Sequence, residues 1–243
     1  MYEIEWKGSP NYYSGWGKWK PMVIVNHISA GTMGSMDNHF ANPKSKASAH
    51  FGVSREGKIH QYVRMTDRAW TQGLRQHEIK YATAPIVKQL NTDPNNYCIS
   101  IEHEGYAGNG LDGSLTNEQF FASVWLHKYI QTKVQDILGV KIPFTPQHVI
   151  GHFQIDPIDK PFCPGVNFPW ARLYNLLYKA DRMTMDEFEE WLAYTKEKAT
   201  LERAVAVRNR IEDLYSKINS KFHDDAVYKL NQIADDMEEK AIL

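Results

Sequence analysis

The chain has only two cysteines in 243 residues, Cys98 and Cys163, which excludes a scaffold built on disulfides. No apolar stretch is long enough to span a bilayer, so no membrane insertion is expected. The opening, MYEIEWKGSP, lacks the basic start and apolar run of a secretory signal, and the expectation is synthesis in the cytoplasm without a signal peptide. There is no arginine-rich patch or nucleic-acid-binding motif, so no nucleic-acid partner is expected. After Met183 the chain contains neither proline nor glycine, although it has 11 and 15 of them in all. That absence marks off a uniform tail from everything before it.

What is present supports a folded domain. A hydrophobic content of 42% and seven tryptophans are enough for a core. The net charge of −1 hides an asymmetry: residues from Asp181 onward hold 15 acidic and 10 basic side chains, while those before hold 14 and 18. A mildly basic front part suits an anionic polymer.

The run PMVIVNH (21–27) reads as a buried strand. HFGVSREGKIHQYV (50–63) reads as two strands joined at Arg55-Glu56-Gly57. NYCISIEHEG (96–105) is a further strand, with Tyr97, Ile99 and Ile101 on one face and Cys98, Ser100, Glu102 and Glu104 on the other. A long helix starts at LTNEQF, with Thr116 as N-cap and Gln119 completing a capping box, and ends at Gly139. A shorter helix is predicted from about 169 to 179. The segment 31–48, rich in Gly, Ser, Asn and Met without period, reads as a long functional loop. The expected fold is therefore α/β, a mixed central sheet flanked by helices, with an all-α C-terminal appendage. In that appendage Thr184 caps a helix, and Leu201, Val205, Ile211, Leu214, Ile218 and Phe222 read as one buried stripe. Val227, Leu230, Ile233 and Met237 read as another.

The residues with chemical potential concentrate in GHFQIDPIDKPFCPG (151–165), where three prolines brace a loop carrying Cys163. His27 closes the first strand and His152 follows Val149-Ile150. Strand ends and rigid loops hold ligands well, and three such ligands with one water make a hydrolytic zinc site. Taken singly, each histidine reads more readily as a hydrogen-bonded core residue than as a metal ligand, and Cys163 also reads as an inert thiol or, with His152, as a thiol peptidase pair.

VIVNH (23–27), SAHFGVSREGKIHQYV (48–63), ISIEHEG (99–105) and GHFQIDPIDKPFCPG (151–165) occur in this order. Together they resemble the type 2 N-acetylmuramoyl-L-alanine amidases, a family that includes phage lysins, autolysins and peptidoglycan recognition proteins. The resemblance covers about residues 15–180. It implies bacterial peptidoglycan as the partner and Zn2+ as cofactor, with His27, His152 and Cys163 as its ligands. It further implies Glu102 as the carboxylate beside the reacting water and Lys160 as the ammonium that stabilises the tetrahedral intermediate. Lys160 stands three positions before Cys163, where two is the commoner offset. His50, in the SAH element, and Trp70 match residues near the substrate cleft. The AWTQG element carries Thr71 where the family has a histidine, so that contact is unassigned.

These readings divide the chain into a zinc amidase domain, 1–180, and a helical region, 184–243, that binds the wall or forms a homo-oligomer through its helices. The expected setting is a phage or prophage endolysin that reaches the wall after holin-mediated release. The alternatives are a non-catalytic peptidoglycan-binding protein and a cytoplasmic muropeptide-recycling amidase.

Overall fold

The computed structural model of the chain describes residues 2–107 and 113–216. Its strands are β1 (Ile4–Trp6), β2 (Tyr12–Tyr13), β3 (Val23–Ile28), β4 (Phe51–Val53), β5 (Ile59–Gln61), β6 (Arg68–Ala69), β7 (Cys98–His103) and β8 (Val149–Gly151). Its α-helices are α1 (Met33–Ala41), α2 (Pro85–Leu90), α3 (Asn117–Leu138), α4 (His152–Ile155), α5 (Trp170–Ala180) and α6 (Met185–Ser216). Six strands form one sheet in the order β1-β5-β4-β7-β3-β8. Only β4 and β5 pair antiparallel; the other pairs are parallel, so the sheet is mixed as expected. β2 and β6 make a separate antiparallel ribbon.

Alternation along the central strands builds the two faces. On one face Val23 and Val25 of β3, Cys98 of β7 and Ile150 of β8 pack with Tyr97, Ile79 and Val87. Cys98, 2% exposed, is a small apolar side chain in that core. On the other, α3 buries Phe120, Phe121, Val124, Leu126, Ile130 and Val134, whereas Ile137 is half exposed near the helix end.

The α3 termini follow their sequence signals, with one difference. Thr116 accepts from the Gln119 N–H at 3.1 Å, and Gly139 closes the helix at φ 66°. The Gln119 side chain, however, does not turn back on Thr116. It is fully buried and donates to the carbonyls of Val53 and Glu104 at 3.0 and 2.9 Å, tying the helix start to the ends of β4 and β7.

The 31–48 loop reading is corrected. Met33–Ala41 is helical, and Pro43–Ser45 adds a 3-10 turn. Thr32 caps α1 by accepting from the Ser35 N–H at 3.2 Å, and Met36 and Phe40, one turn apart, are buried. Gly34, Ser35 and Asn38 are weak helix formers, so tertiary burial of two side chains decides the conformation against propensity.

The chain separates into two compact units, 1–185 and 186–243. Among the described residues the second unit is α6. Leu201 and Val205 of its expected buried stripe are 47% and 42% exposed, which corrects that reading at these positions, because no second helix among the described residues covers them. Ile218, Phe222 and the whole second stripe, Val227 to Met237, lie outside the described residues. No described helix is long and apolar enough to cross a membrane.

The β4–β5 turn needs its glycine. Gly57 has φ 81°, and an added Cβ would stand 2.9 Å from the Glu118 carbonyl at the start of α3. Gly57→Ala is expected to destabilise the fold by about 1–3 kcal/mol, the usual cost of a strained backbone position. Urea unfolding followed by tryptophan fluorescence measures it; unchanged stability would contradict the packing described for this turn.

Candidate metal centre

The site is assembled by strand register. β3 lies between β7 and β8, parallel to both, with His27 opposite Glu102 and Asn26 opposite Gly151. His152 directly follows Gly151 as the first residue of α4, which brings its ring to 4.4 Å from that of His27. Gly151 lets Phe153 and Pro164 pack against the end of β8: a Cβ there would lie 2.7 Å from the Phe153 ring and 2.9 Å from Pro164.

Cys163 arrives from the loop after α4, and backbone hydrogen bonds fix that loop. The Asp156 carboxylate accepts from the N–H groups of Ile158 and Asp159 at 3.2 and 3.0 Å. Cys163 N–H donates to the Lys160 carbonyl, and its own carbonyl accepts from Phe153 N–H at 2.8 Å. The candidate ligand atoms of His27, His152 and Cys163 all lie within 4.8 Å of one another. Two imidazoles and a thiol so placed are a donor set of the kind a tetrahedral zinc takes.

Burial dominates the electrostatics. It pushes the His27 imidazole well below its ordinary range and that of His152 to about 4, so both are neutral. His152 Nε2–H donates to the Gln72 carbonyl at 3.0 Å, which leaves the Nδ1 lone pair free. His27 Nε2 is buried without a hydrogen-bond partner among the described residues. Burial also raises the Cys163 thiol to about 12, with the Glu102 carboxylate adding to the effect, although the Ile28 N–H donates to Sγ at 3.4 Å.

Glu102 Oε1 stands 4.0 Å from His27 Nδ1, and Oε2 is buried without a partner among the described residues. Burial raises this carboxyl to about 7, against the pull of the Lys160 ammonium. Glu102, Lys160 and the three candidate ligands line one cleft of about 590 Å³. The longer offset between Lys160 and Cys163 thus still leaves the lysine on the cleft wall.

Trp70 lines the same cleft, its ring 5.1 Å from that of Tyr13. His50 does not. It is fully buried, its Nδ1 accepts from Ser100 N–H, its Nε2–H donates to the Asp67 carbonyl, and its ring stacks on Trp16. With both nitrogens taken by backbone groups, the substrate contact expected of it has no free atom. Thr71 is likewise occupied, donating through Oγ1 to the Ser48 carbonyl at 2.8 Å.

Several supporting residues escaped the sequence reading. Asn95 accepts from the N–H groups of Thr71 and Gln72, both at 3.0 Å, and so positions the carbonyl that orients His152. Behind β3, His103 Nδ1–H donates to the His27 carbonyl at 2.9 Å, and its Nε2 accepts from Ser123 of α3 at 2.8 Å. Only the neighbour position of His103 after Glu102 hinted at this; the Gln72 contact runs through backbone and leaves no side-chain signal.

Comparison with known proteins agrees with this geometry. The family profile described as N-acetylmuramoyl-L-alanine amidase (Amidase_2) matches residues 18–166. N-acetylmuramoyl-L-alanine amidase A of Achromobacter lyticus is 27% identical over 166 residues, 64% of this chain and 82% of that protein. The 1,6-anhydro-N-acetylmuramyl-L-alanine amidase AmpD of Haemophilus influenzae is 30% identical over 127 residues, 52% of this chain and 56% of its own length. In fold, the chain is similar to a selenomethionine derivative of AmpD, with a TM-score of 0.52 at 23% identity, covering 72% of this chain and 94% of that one. It is also similar to the PlyG catalytic domain, with a TM-score of 0.51 at 18% identity, covering 75% and 97%. The profile spans well over half of the chain and takes in every residue of the cleft's chemistry from His27 to Cys163: the chain belongs to the N-acetylmuramoyl-L-alanine amidases, hydrolases of the Amidase_2 family.

Proposed function

We propose that this amidase is zinc-dependent, that it cuts the amide between the lactyl group of N-acetylmuramic acid and L-alanine, and that it does so as a phage or prophage endolysin. One observation carries the metal: one ring nitrogen each of His27 and His152 and the Cys163 sulfur lie within 4.8 Å of one another, and His27 Nε2 is buried without a partner among the described residues. Buried polar atoms are rarely left without a partner, and a cation shared by the three residues would supply the one His27 Nε2 lacks. When bound, zinc supplies a Lewis acid that polarises a carbonyl and lowers the pKa of water to about 7.

The protein's own groups do the rest. Gln72 fixes the His152 tautomer through its carbonyl, and His103 anchors the backbone of His27. Glu102 takes the proton of the attacking water and returns it to the departing amine; its raised pKa suits a group that must hold that proton between the two steps. Lys160 stabilises the charge that develops on the carbonyl oxygen. Trp70 forms part of the wall against which substrate rests.

The rival in which Cys163 attacks as a thiolate has the wrong electrostatics, because burial holds the thiol protonated rather than activated. A purely wall-binding protein would have no use for Glu102 beside the two imidazoles and the thiol.

In this reading residues 1–180 are the catalytic domain and 184–243 a helical region that binds the wall or joins two copies. The helical addition supports a lytic enzyme, since hydrolysis of a small soluble muropeptide needs no second unit. Muropeptide recycling is the second reading, favoured by the likeness to AmpD. Release through a holin pore belongs to the lytic reading.

Treatment with 1,10-phenanthroline is expected to abolish release of peptides with free N-terminal L-alanine from purified wall, and added zinc to restore it; activity that survives complete demetallation would contradict the metal reading. Glu102→Ala should keep bound zinc and lose about 10²–10⁴-fold in kcat, the usual share of a general acid–base. Hydrolysis within two-fold of the parent would remove it from the mechanism. For the tail, deletion of residues 186–243 should abolish co-sedimentation with intact walls if it binds wall, or halve the mass seen by light scattering if it joins copies. A fragment unchanged in both assays would leave neither role standing.

A further inference from the structure

Phe162 is out of place for a phenylalanine. It is 63% exposed, yet it lines the cleft that holds Glu102 and the candidate ligands. The cleft's other phenylalanine and its tryptophan are more covered: Phe40 is 6% exposed, and Trp70 is half-buried against Tyr13. Among the described residues the Phe162 ring has no aromatic or cationic partner. Its backbone is nonetheless braced, because Pro161 precedes it and Cys163 after it is bonded at both backbone groups, to Lys160 and Phe153. An uncovered phenyl face on a braced stretch of backbone, in the wall of the cleft that holds Glu102 and the candidate ligands, is a place where a ligand completes the packing.

We infer that Phe162 is a specificity-determining residue that stacks on the pyranose ring of the muramyl sugar. The inference rests on the amidase reading and names which part of that substrate the residue recognises. Phe162 directly precedes Cys163 and follows Lys160 by two positions, so whatever covers its ring is joined closely to the reacting amide. On the amine side of that bond stands L-alanine, whose methyl is far smaller than a phenyl face. A peptide backbone further along asks for hydrogen-bond donors and acceptors, which a phenyl ring does not offer. On the acyl side the lactyl group leads at once to a sugar ring, whose C–H face is flat, apolar and of matching size. Stacking there removes the exposed ring from water and orients the acyl group, with little ordering cost, since the loop is already fixed.

Two substrates that share the scissile amide separate this from a general packing role: N-acetylmuramoyl-L-alanyl-γ-D-glutamyl-lysine, and the D-lactoyl peptide of the same sequence without the sugar. In the full-length protein, Phe162→Ala is expected to raise KM for the muramyl substrate roughly ten-fold, with kcat within about two-fold, and to leave kinetics on the lactoyl peptide unchanged. Phe162→Trp should restore the parent KM. An unchanged KM for the muramyl substrate, or equal losses on both substrates, would overturn the assignment. Should the parent protein cleave neither substrate, the amidase reading fails, and calorimetric binding of the muramyl peptide decides the inference separately. Affinity that falls about ten-fold in Phe162→Ala and returns in Phe162→Trp supports it, and affinity indifferent to residue 162 overturns it.

Discussion

Everything about this cleft depends on the burial of ionisable groups around His27. Two imidazoles, a thiol and a carboxyl share one pocket at the ends of parallel strands, and burial drives each toward its neutral form. Holding them together costs several kcal/mol per charged group wherever charge persists. The proposed divalent cation would reverse the balance. Zinc bound to small folding peptides contributes about 10–16 kcal/mol, more than enough to offset deprotonation of one thiol raised by burial. The two imidazoles and the thiol are a donor set that suits the proposed zinc.

Rigidity comes from the sheet and from a polar strap behind it. Parallel pairing of β3 with β7 and β8 places His27, Glu102 and His152 in register without any contribution from loop flexibility. On the far face His103 and His127 are both held neutral by burial and act as fixed donors, His103 to the His27 carbonyl and His127 to the Ser123 carbonyl. Asn26 Nδ2–H donates to His127 Nε2 at 3.2 Å and closes the link between β3 and α3. Neutral hydrogen bonds in a dry interior resist displacement because each unmade bond leaves a buried polar atom. This strap lets β3 end in a candidate ligand, His27, without drifting.

Much of this was legible in the chain. The strand at 21–27, the turn at Gly57 and the cap at Thr116 follow from local chemistry, because each rests on neighbours close in sequence. The four motifs pointed to His27, Glu102, Lys160, His152 and Cys163, and the fold gathers them into one cleft. What could not be read locally is what tertiary contact decides. α1 hides behind Gly34 and Asn38 and is revealed only by the burial of Met36 and Phe40. The two partners of His50 lie 17 and 50 residues away, and both are backbone groups. Gln72 acts on His152 across 80 residues through a carbonyl, which every residue possesses. In α6 the apolar spacing promised burial, and the exposure of Leu201 and Val205 shows that periodicity names a face without naming what lies against it.

The central claim is that His27, His152 and Cys163 jointly hold one zinc ion. X-ray absorption at the zinc edge of the purified protein tests it directly. The account predicts one sulfur at about 2.3 Å with two imidazole nitrogens at about 2.0–2.1 Å and a light fourth scatterer. A spectrum without sulfur in the first shell, or a protein that purifies and works without zinc, would contradict it.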